Sequence, residues 1–218
     1  MSKLLVFDCD STLSGMEGID ALGRLRSAEI AAKIAQLTTA AMDGRVPLDD
    51  VFGLRLNLIQ PSQQECASIA QCYLDRVEPH AQRVIAALQG EGWDCAILSG
   101  GLVPCIAPLA AALGIDRVEA VPLYFDASGA YADYGADYPT TRNGGKLDVV
   151  RQLKAEGAYS TTVMVGDGVS DLETKPGVDL FVGFGAYVSR PQVRAQADRF
   201  IHGLDELPAL LQTFQGSI

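Results

Sequence analysis

Lys3-Leu4-Leu5-Val6-Phe7 is a short, nearly unbroken apolar run that halts at two acids, Asp8 and Asp10. Continuous hydrophobicity over so short a stretch predicts a strand covered on both faces, as in a parallel sheet. After Thr12 the period changes. Ile19, Leu22 and Leu25, then Ile30, Ile34, Leu37 and Ala41, recur every three or four positions, and Val51, Leu54, Leu58, Cys66, Ile69, Ala70 and Tyr73 continue the series. That spacing predicts amphipathic helices, with Pro47 and Pro61 marking where they start or stop. From Pro79 the periods alternate: a helix through Val84 and Leu88, a strand ending at Ser99, a helix through Ile106 and Leu113, and strands at 162–165 and 180–182. Residues 120–124 and 130–134, joined by Asp126-Ala127-Ser128-Gly129, read as a hairpin. The expected fold class is α/β, a doubly wound parallel sheet with an inserted helical bundle. Residues 1–14 and 79–218 would form the sheet domain, and 15–78 the inserted helical cap.

A chain of 218 residues with 48% hydrophobic content can bury a sizeable core. A net charge of −10 argues against nucleic acid or an anionic membrane surface as partner. A small anionic substrate would have to be met by local positive charge. Cys9, Cys66, Cys72, Cys95 and Cys105 form an odd set with no C-x-x-C pair. They read as small buried thiols, which favours a reducing, cytoplasmic setting. No charged-then-apolar leader is visible and no apolar run is long enough to cross a bilayer, so the protein is expected to be soluble and unexported. Composition leaves a monomer and a homodimer equally open.

Chemistry gathers where the apolar runs end. In an extended chain Asp8 and Asp10 share a face, so both can address one substrate. One carboxylate can attack phosphorus while the other moves a proton, and both can help hold a hard cation such as magnesium. The run Trp93-Asp94-Cys95-Ala96-Ile97-Leu98 ends in Ser99-Gly100-Gly101, where backbone N–H groups can approach an oxyanion. Asn143-Gly144-Gly145-Lys146 sets a lysine at a helix start, and Thr162-Val163-Met164-Val165 ends in Gly166-Asp167-Gly168-Val169-Ser170-Asp171. All of these fall at the carboxyl ends of predicted strands or at helix starts, the rim where open parallel sheets bind ligands.

The order D-x-D-S-T, S-G-G, G-G-K, G-D-G-x-x-D resembles the four motifs of the haloacid dehalogenase superfamily of phosphatases. Glu17-Gly18-Ile19-Asp20, Ala41-Met42-Asp43-Gly44, Leu54-Arg55-Leu56, Ile59-Gln60-Pro61-Ser62 and Val182-Gly183-Phe184-Gly185 narrow the resemblance to its phosphoserine phosphatase branch, from Leu4 to about Leu210. The resemblance implies a Rossmann-like core, Mg2+ as cofactor, and O-phospho-L-serine as the small-molecule substrate, hydrolysed in the last step of serine synthesis. Asp8 would be the nucleophile and Asp10 the acid and base. Ser99, Gly100, Gly101 and Lys146 would hold the phosphoryl oxygens, and Asp8, Asp10 (through its main-chain carbonyl), Asp167 and Asp171 the metal. By the same resemblance Glu17 pairs with the substrate ammonium and Arg55 with its carboxylate, Met42 and Gly44 line the lid, and Ser170 and Arg190 approach the substrate. Zinc would want histidines or thiolates, and the histidines are only His80 and His202, which are expected to be structural or solvated because the chemistry already has its acid and base.

Three positions depart from the family pattern: Leu48 stands where phenylalanine is common, Ser170 replaces Asn or Thr, and the segment from Glu119 to Leu123 lacks an expected asparagine. The last change leaves open how Lys146 is oriented. Two rival readings follow, a related phosphatase or phosphotransferase for another small phosphomonoester, and a phosphate-ligand sensor that kept the fold without the chemistry.

Overall fold

A computed structural model describes residues 2–215. The elements in chain order are β1 (Lys3–Phe7), α1 (Gly18–Gly23), α2 (Ala28–Met42), α3 (Leu48–Ile59), α4 (Gln63–Asp75), α5 (Ala81–Gly90), β2 (Trp93–Leu102), α6 (Val103–Ala112) and β3 (Arg117–Val121). There follow β4 (Leu123–Phe125), β5 (Tyr131–Tyr134), α7 (Gly145–Gly157), β6 (Thr161–Gly166), α8 (Val169–Leu172), β7 (Leu180–Phe184), α9 (Pro191–Gln196), β8 (Arg199–Ile201) and α10 (Leu207–Gln215).

The described residues form one six-stranded sheet in the order β3-β2-β1-β6-β7-β8, parallel throughout, and a separate antiparallel pair β4-β5. β1 is central because it is apolar on both sides. Leu5 and Phe7 pack with residues of α5, α6 and α10, whereas Leu4 and Val6 pack with Val149, Val150 and Leu153 of α7 and Val193 of α9. The alternation of side chains along a strand therefore divides one hydrophobic run between two cores. Burial of a side chain the size of Leu5 or Phe7 contributes roughly 1.5–3 kcal/mol.

Two strand boundaries differ from the sequence pattern. β2 continues through Gly100 and Gly101 to Leu102 instead of ending at Ser99. At Gly101 an added Cβ would stand 2.7 Å from Ile106 Cδ1, so the missing side chain lets α6 turn back tightly against its own strand. The hairpin begins at Leu123, not at Ala120. Pro122 has no N–H to give a ladder, so β3 stays with the main sheet and β4 starts after the proline.

Helices α1 to α4 lie between β1 and α5, where the helical periodicity falls. Ser14 ties the two ends of this insertion together: it bridges to Val77, and its Oγ donates to the carbonyls of Tyr73 and Arg76 at 3.1 and 3.2 Å. α2 packs on α1 and α3, whereas α4 lies along α6 of the sheet layer. Ser62 starts α4 with a capping box, its hydroxyl accepting from the Glu65 N–H at 3.2 Å while the Glu65 carboxylate accepts from the Ser62 N–H at 2.8 Å. The same Glu65 carboxylate takes two hydrogen bonds from Arg26, at 2.6 and 2.9 Å. Ser62→Ala is expected to cost about 1 kcal/mol, read as a lower denaturant midpoint with an unchanged slope.

Candidate active site

Asp8 follows the last residue of β1, and the backbone then turns sharply. Ser11 adopts φ 55°, the left-handed region that a residue with a Cβ visits only at a cost of roughly 1–2 kcal/mol. Its Oγ donates to Glu17 Oε1 at 2.7 Å, which bridges the turn to the start of α1. The strand end thereby presents Asp8 and Asp10 together, and both line one cavity with Glu17, Met42, Arg55, Ser99, Gly100, Gly101, Lys146 and Ser170, closed by Ile19 and Leu48.

Lys146 stands in the first turn of α7, a position where the helix dipole mildly disfavours a cation. Its ammonium donates to Asp8 Oδ1 at 2.8 Å and to Asp171 Oδ1 at 2.6 Å, all three side chains being buried. Two carboxylates thus settle its orientation without the asparagine missing from 119–123. Glu119 is engaged elsewhere, with Tyr138 and Arg117. Asp171 comes within reach because Gly166 has no side chain. A Cβ there would overlap the Asp171 carboxylate, whose Oδ2 accepts from the Gly168 N–H at 2.9 Å. Asp167 completes the group, and single oxygens of Asp8, Asp167 and Asp171 lie within 4.8 Å of one another. This is an all-oxygen donor set suited to a hard cation. The Asp10 carboxylate is outside that group, held by the Gly18 N–H at 3.0 Å and by the Tyr73 hydroxyl.

Arg190 and Gly44 do not line the cavity. Arg190 is buried beside it, donating to Asp167 Oδ2 at 3.3 Å and to Asp43 Oδ1 at 3.0 Å, and so joins the loop after α2 to the acidic cluster. Gly44 makes the turn after α2 at φ 69°. His80 and His202 lie away from the cavity, near Asp205 and the Gly185 carbonyl respectively. On the opposite wall Arg55 Nη1 donates to Thr38 Oγ1 at 2.9 Å, and Thr38 donates to Asp20 Oδ1 at 2.5 Å. Arg55 Nε is buried without a hydrogen-bond partner among the described residues. The sequence pattern gave no role to Tyr73 or Thr38, because a tyrosine and a threonine inside amphipathic helices look like ordinary core positions, and it named Asp43 only within the segment Ala41-Met42-Asp43-Gly44.

Asp8, Asp10, Asp167, Asp171 and Glu17 crowd against three cations, Lys146, Arg190 and Arg55. Burial, then the neighbouring Asp171, push the Asp8 carboxyl from 3.8 up to about 7 against the pull of Lys146. Burial and Asp8 bring Asp10 to about 7, and burial and Asp10 bring Glu17 to about 7. Burial and the Asp8 charge hold Asp167 well above the usual carboxylate range. Burial opposes the Lys146 ammonium, but Asp171 and Asp8 outweigh it and its pKa rises.

The family model for haloacid dehalogenase-like hydrolases matches residues 5–174. Phosphoserine phosphatase of Drosophila melanogaster is 34% identical over 209 residues, spanning 94% of this chain and 77% of that protein. The Homo sapiens phosphoserine phosphatase is 34% identical over 203 residues, spanning 92% of this chain and 89% of that protein. A solved phospho-aspartyl intermediate analogue of phosphoserine phosphatase superposes with a TM-score of 0.85 at 23% identity, covering 96% of this chain and 98% of that one.

The raised carboxyl groups fix a sign for stability against pH. Asp8, Asp10 and Glu17 hold protons in the folded state that the unfolded chain releases near pH 4, so this contribution is complete below about pH 4 and is lost as pH rises through about 7. In a chelator, the denaturant midpoint is expected to fall between pH 5 and pH 8. A flat or rising profile over that window would contradict the charge arrangement.

Proposed function

This chain belongs to the haloacid dehalogenase-like hydrolase family, and from that premise we propose that it hydrolyses O-phospho-L-serine to L-serine and phosphate. An Asp8 carboxylate oxygen attacks phosphorus, the bond from phosphorus to the serine oxygen breaks with its electron pair, and Asp10 gives that oxygen a proton. Water then attacks the aspartyl-phosphate, Asp10 takes the water proton, and the Asp8 carboxylate leaves as phosphate is freed. One residue serves both halves because the proton it donates in the first returns in the second. Lys146, Ser99 and the N–H groups at Gly100 and Gly101 would meet the phosphoryl oxygens as their charge grows.

The reading rests on one observation above all: Glu17 and Arg55 line the same cavity as Asp8 and Lys146. A carboxylate suits an ammonium, and a guanidinium whose Nε is buried without a partner suits a carboxylate. An amino-acid phosphate supplies all three charges. The cavity holds about 40 Å³, which supports a reading in which the insertion moves to admit the substrate. Carboxylates outnumber cations here even before Asp43 beside Arg190 and Asp20 near Arg55 are counted. The oxygen-only group of Asp8, Asp167 and Asp171 fits Mg2+, which when bound would neutralise phosphoryl charge. The five cysteines are free thiols, in keeping with a reducing cytoplasm, and no described helix is long and apolar enough to cross a membrane. Such a phosphatase would stand at the last step of serine synthesis.

Substrate choice is tested by phosphate release from O-phospho-L-serine, β-glycerophosphate and p-nitrophenyl phosphate. The wild type should favour phosphoserine in kcat/KM. Glu17→Gln and Arg55→Met should each lower that value about 10- to 100-fold, the worth of one hydrogen bond to a charged group, and leave β-glycerophosphate nearly unchanged. Equal kcat/KM on all three esters would overturn the assignment.

Cation binding has a readout apart from turnover. Magnesium at about 100 times its dissociation constant stabilises by about 2.7 kcal/mol, or roughly 5–10 °C in Tm for a chain of this size. Asp167→Asn should abolish the rise, and an equal rise in that variant would refute the ligand set.

A further inference from the structure

Tyr73 is fully buried and lies 63 residues from the acid that its hydroxyl contacts, Asp10. It stands in the last turns of α4, the helix of the insertion that packs along α6 of the sheet layer. Its backbone carbonyl accepts from Ser14 Oγ at 3.1 Å, so the residue is fixed at both ends, by Ser14 where the insertion leaves the sheet domain and by the Asp10 carboxylate. The Tyr73 hydroxyl donates to Asp10 Oδ1, and the Gly18 N–H donates to Oδ2 at 3.0 Å. Gly18 has no side chain for a local reason: a Cβ there would overlap the Tyr73 hydroxyl. The two donors thus occupy one lone pair on each carboxylate oxygen and fix the plane of the group, leaving a second lone pair on each for the travelling proton.

Accepting the phosphatase reading above, we propose that Tyr73 is a positioning residue that holds the Asp10 carboxyl in the orientation needed to protonate a departing alkoxide. A bare carboxyl on a short side chain rotates about its last torsion, and general-acid transfer needs the proton aimed at the leaving oxygen within hydrogen-bond reach. Burial and the nearby Asp10 charge raise the Tyr73 phenol well above its ordinary range, so it stays a donor and does not itself supply the proton. The arrangement makes part of the insertion a component of the chemistry, in addition to any part it plays in substrate choice.

The leaving group supplies the test. Serine departs as a strongly basic alkoxide and needs the proton, whereas p-nitrophenolate departs without one. Tyr73→Phe keeps the buried ring and removes only the hydroxyl. It is expected to lower kcat/KM for O-phospho-L-serine about tenfold or more, a part of the roughly 10²–10⁴ that general acid catalysis contributes. The value for p-nitrophenyl phosphate should stay within about threefold, and KM for phosphoserine should change little. Gly18→Ala, whose methyl group would displace the hydroxyl, should give the same selective loss and decides the matter if Tyr73→Phe does not fold by circular dichroism. Equal losses on both esters, or no loss on either, would overturn the proposal. A wild type inactive on phosphoserine would overturn the substrate reading instead, and the same comparison would then run with β-glycerophosphate as the alkyl ester and the same criteria.

Discussion

Burial of the Lys146 ammonium between Asp8 and Asp171 is the interaction on which the site depends. Both contacts are short and the three side chains are almost entirely removed from solvent. Removing either kind of partner from a buried pair is costly, commonly about 3–5 kcal/mol, because the remaining charge is left without water or a counter-ion. The lysine stands where a helix dipole mildly disfavours it, so the carboxylates, and not the helix, account for its position. What it cannot do is balance the whole group. Asp10, Asp167 and Glu17 add negative charge faster than Arg190 and Arg55 offset it, and the carboxyl groups respond by holding protons toward neutral pH.

A parallel sheet makes this crowding geometrically possible. Neighbouring strands lie about 4.8 Å apart, so the ends of β1 and β6 deliver Asp8 and Asp167 side by side with no long loop between them. The remaining members arrive by tight turns that depend on absent side chains. Gly166 admits Asp171, Gly101 lets α6 fold back beside Ser99, and Gly18 leaves space for Tyr73. These glycines act through close approach, which is why substitution there would alter the chemistry without touching a charged group.

How much of this could be read in the chain follows the range of each interaction. The acids after β1 and β6 and Ser99 are legible because each sits at the end of an apolar run, where a change of pattern marks the rim of the sheet, and Lys146 because two glycines before a helical period mark a helix start. The helical insertion is legible from its period. The strand boundaries at Gly100 and Pro122 were displaced in opposite senses, because the glycine was read as a stop and the proline was read through. One of them lies within a strand, and the other divides two. Arg190 is a harder case: its pairing with Asp43 and Asp167 joins residues 147 and 23 positions apart, and no local pattern encodes it. Tyr73 was hidden for a different reason. Its ring obeys the helical period, so the pattern accounts for it as core, and only its hydroxyl is chemically committed.

The insertion is not mechanically uniform, and that bears on how a closed cavity can open without dismantling the acid. α4 lies along α6 and carries Tyr73, whereas Met42, Leu48 and Arg55 belong to α2 and α3, which pack mainly on α1 and each other. Across the mouth these two helices meet the sheet domain at partly buried polar contacts, Asp43 with Arg190 and the Leu48 N–H with Asn143 Oδ1, and at the ring contact of Phe52 with Tyr134. These few contacts join far less surface than the packed face between α4 and α6. Displacement of α2 and α3 would therefore widen the cavity and carry away Arg55, yet leave Asp10 seated under Tyr73. On that division of labour, Arg55 would move with α2 and α3, while Glu17, held by Ser11 at the start of α1, and Asp10 would stay behind with the sheet.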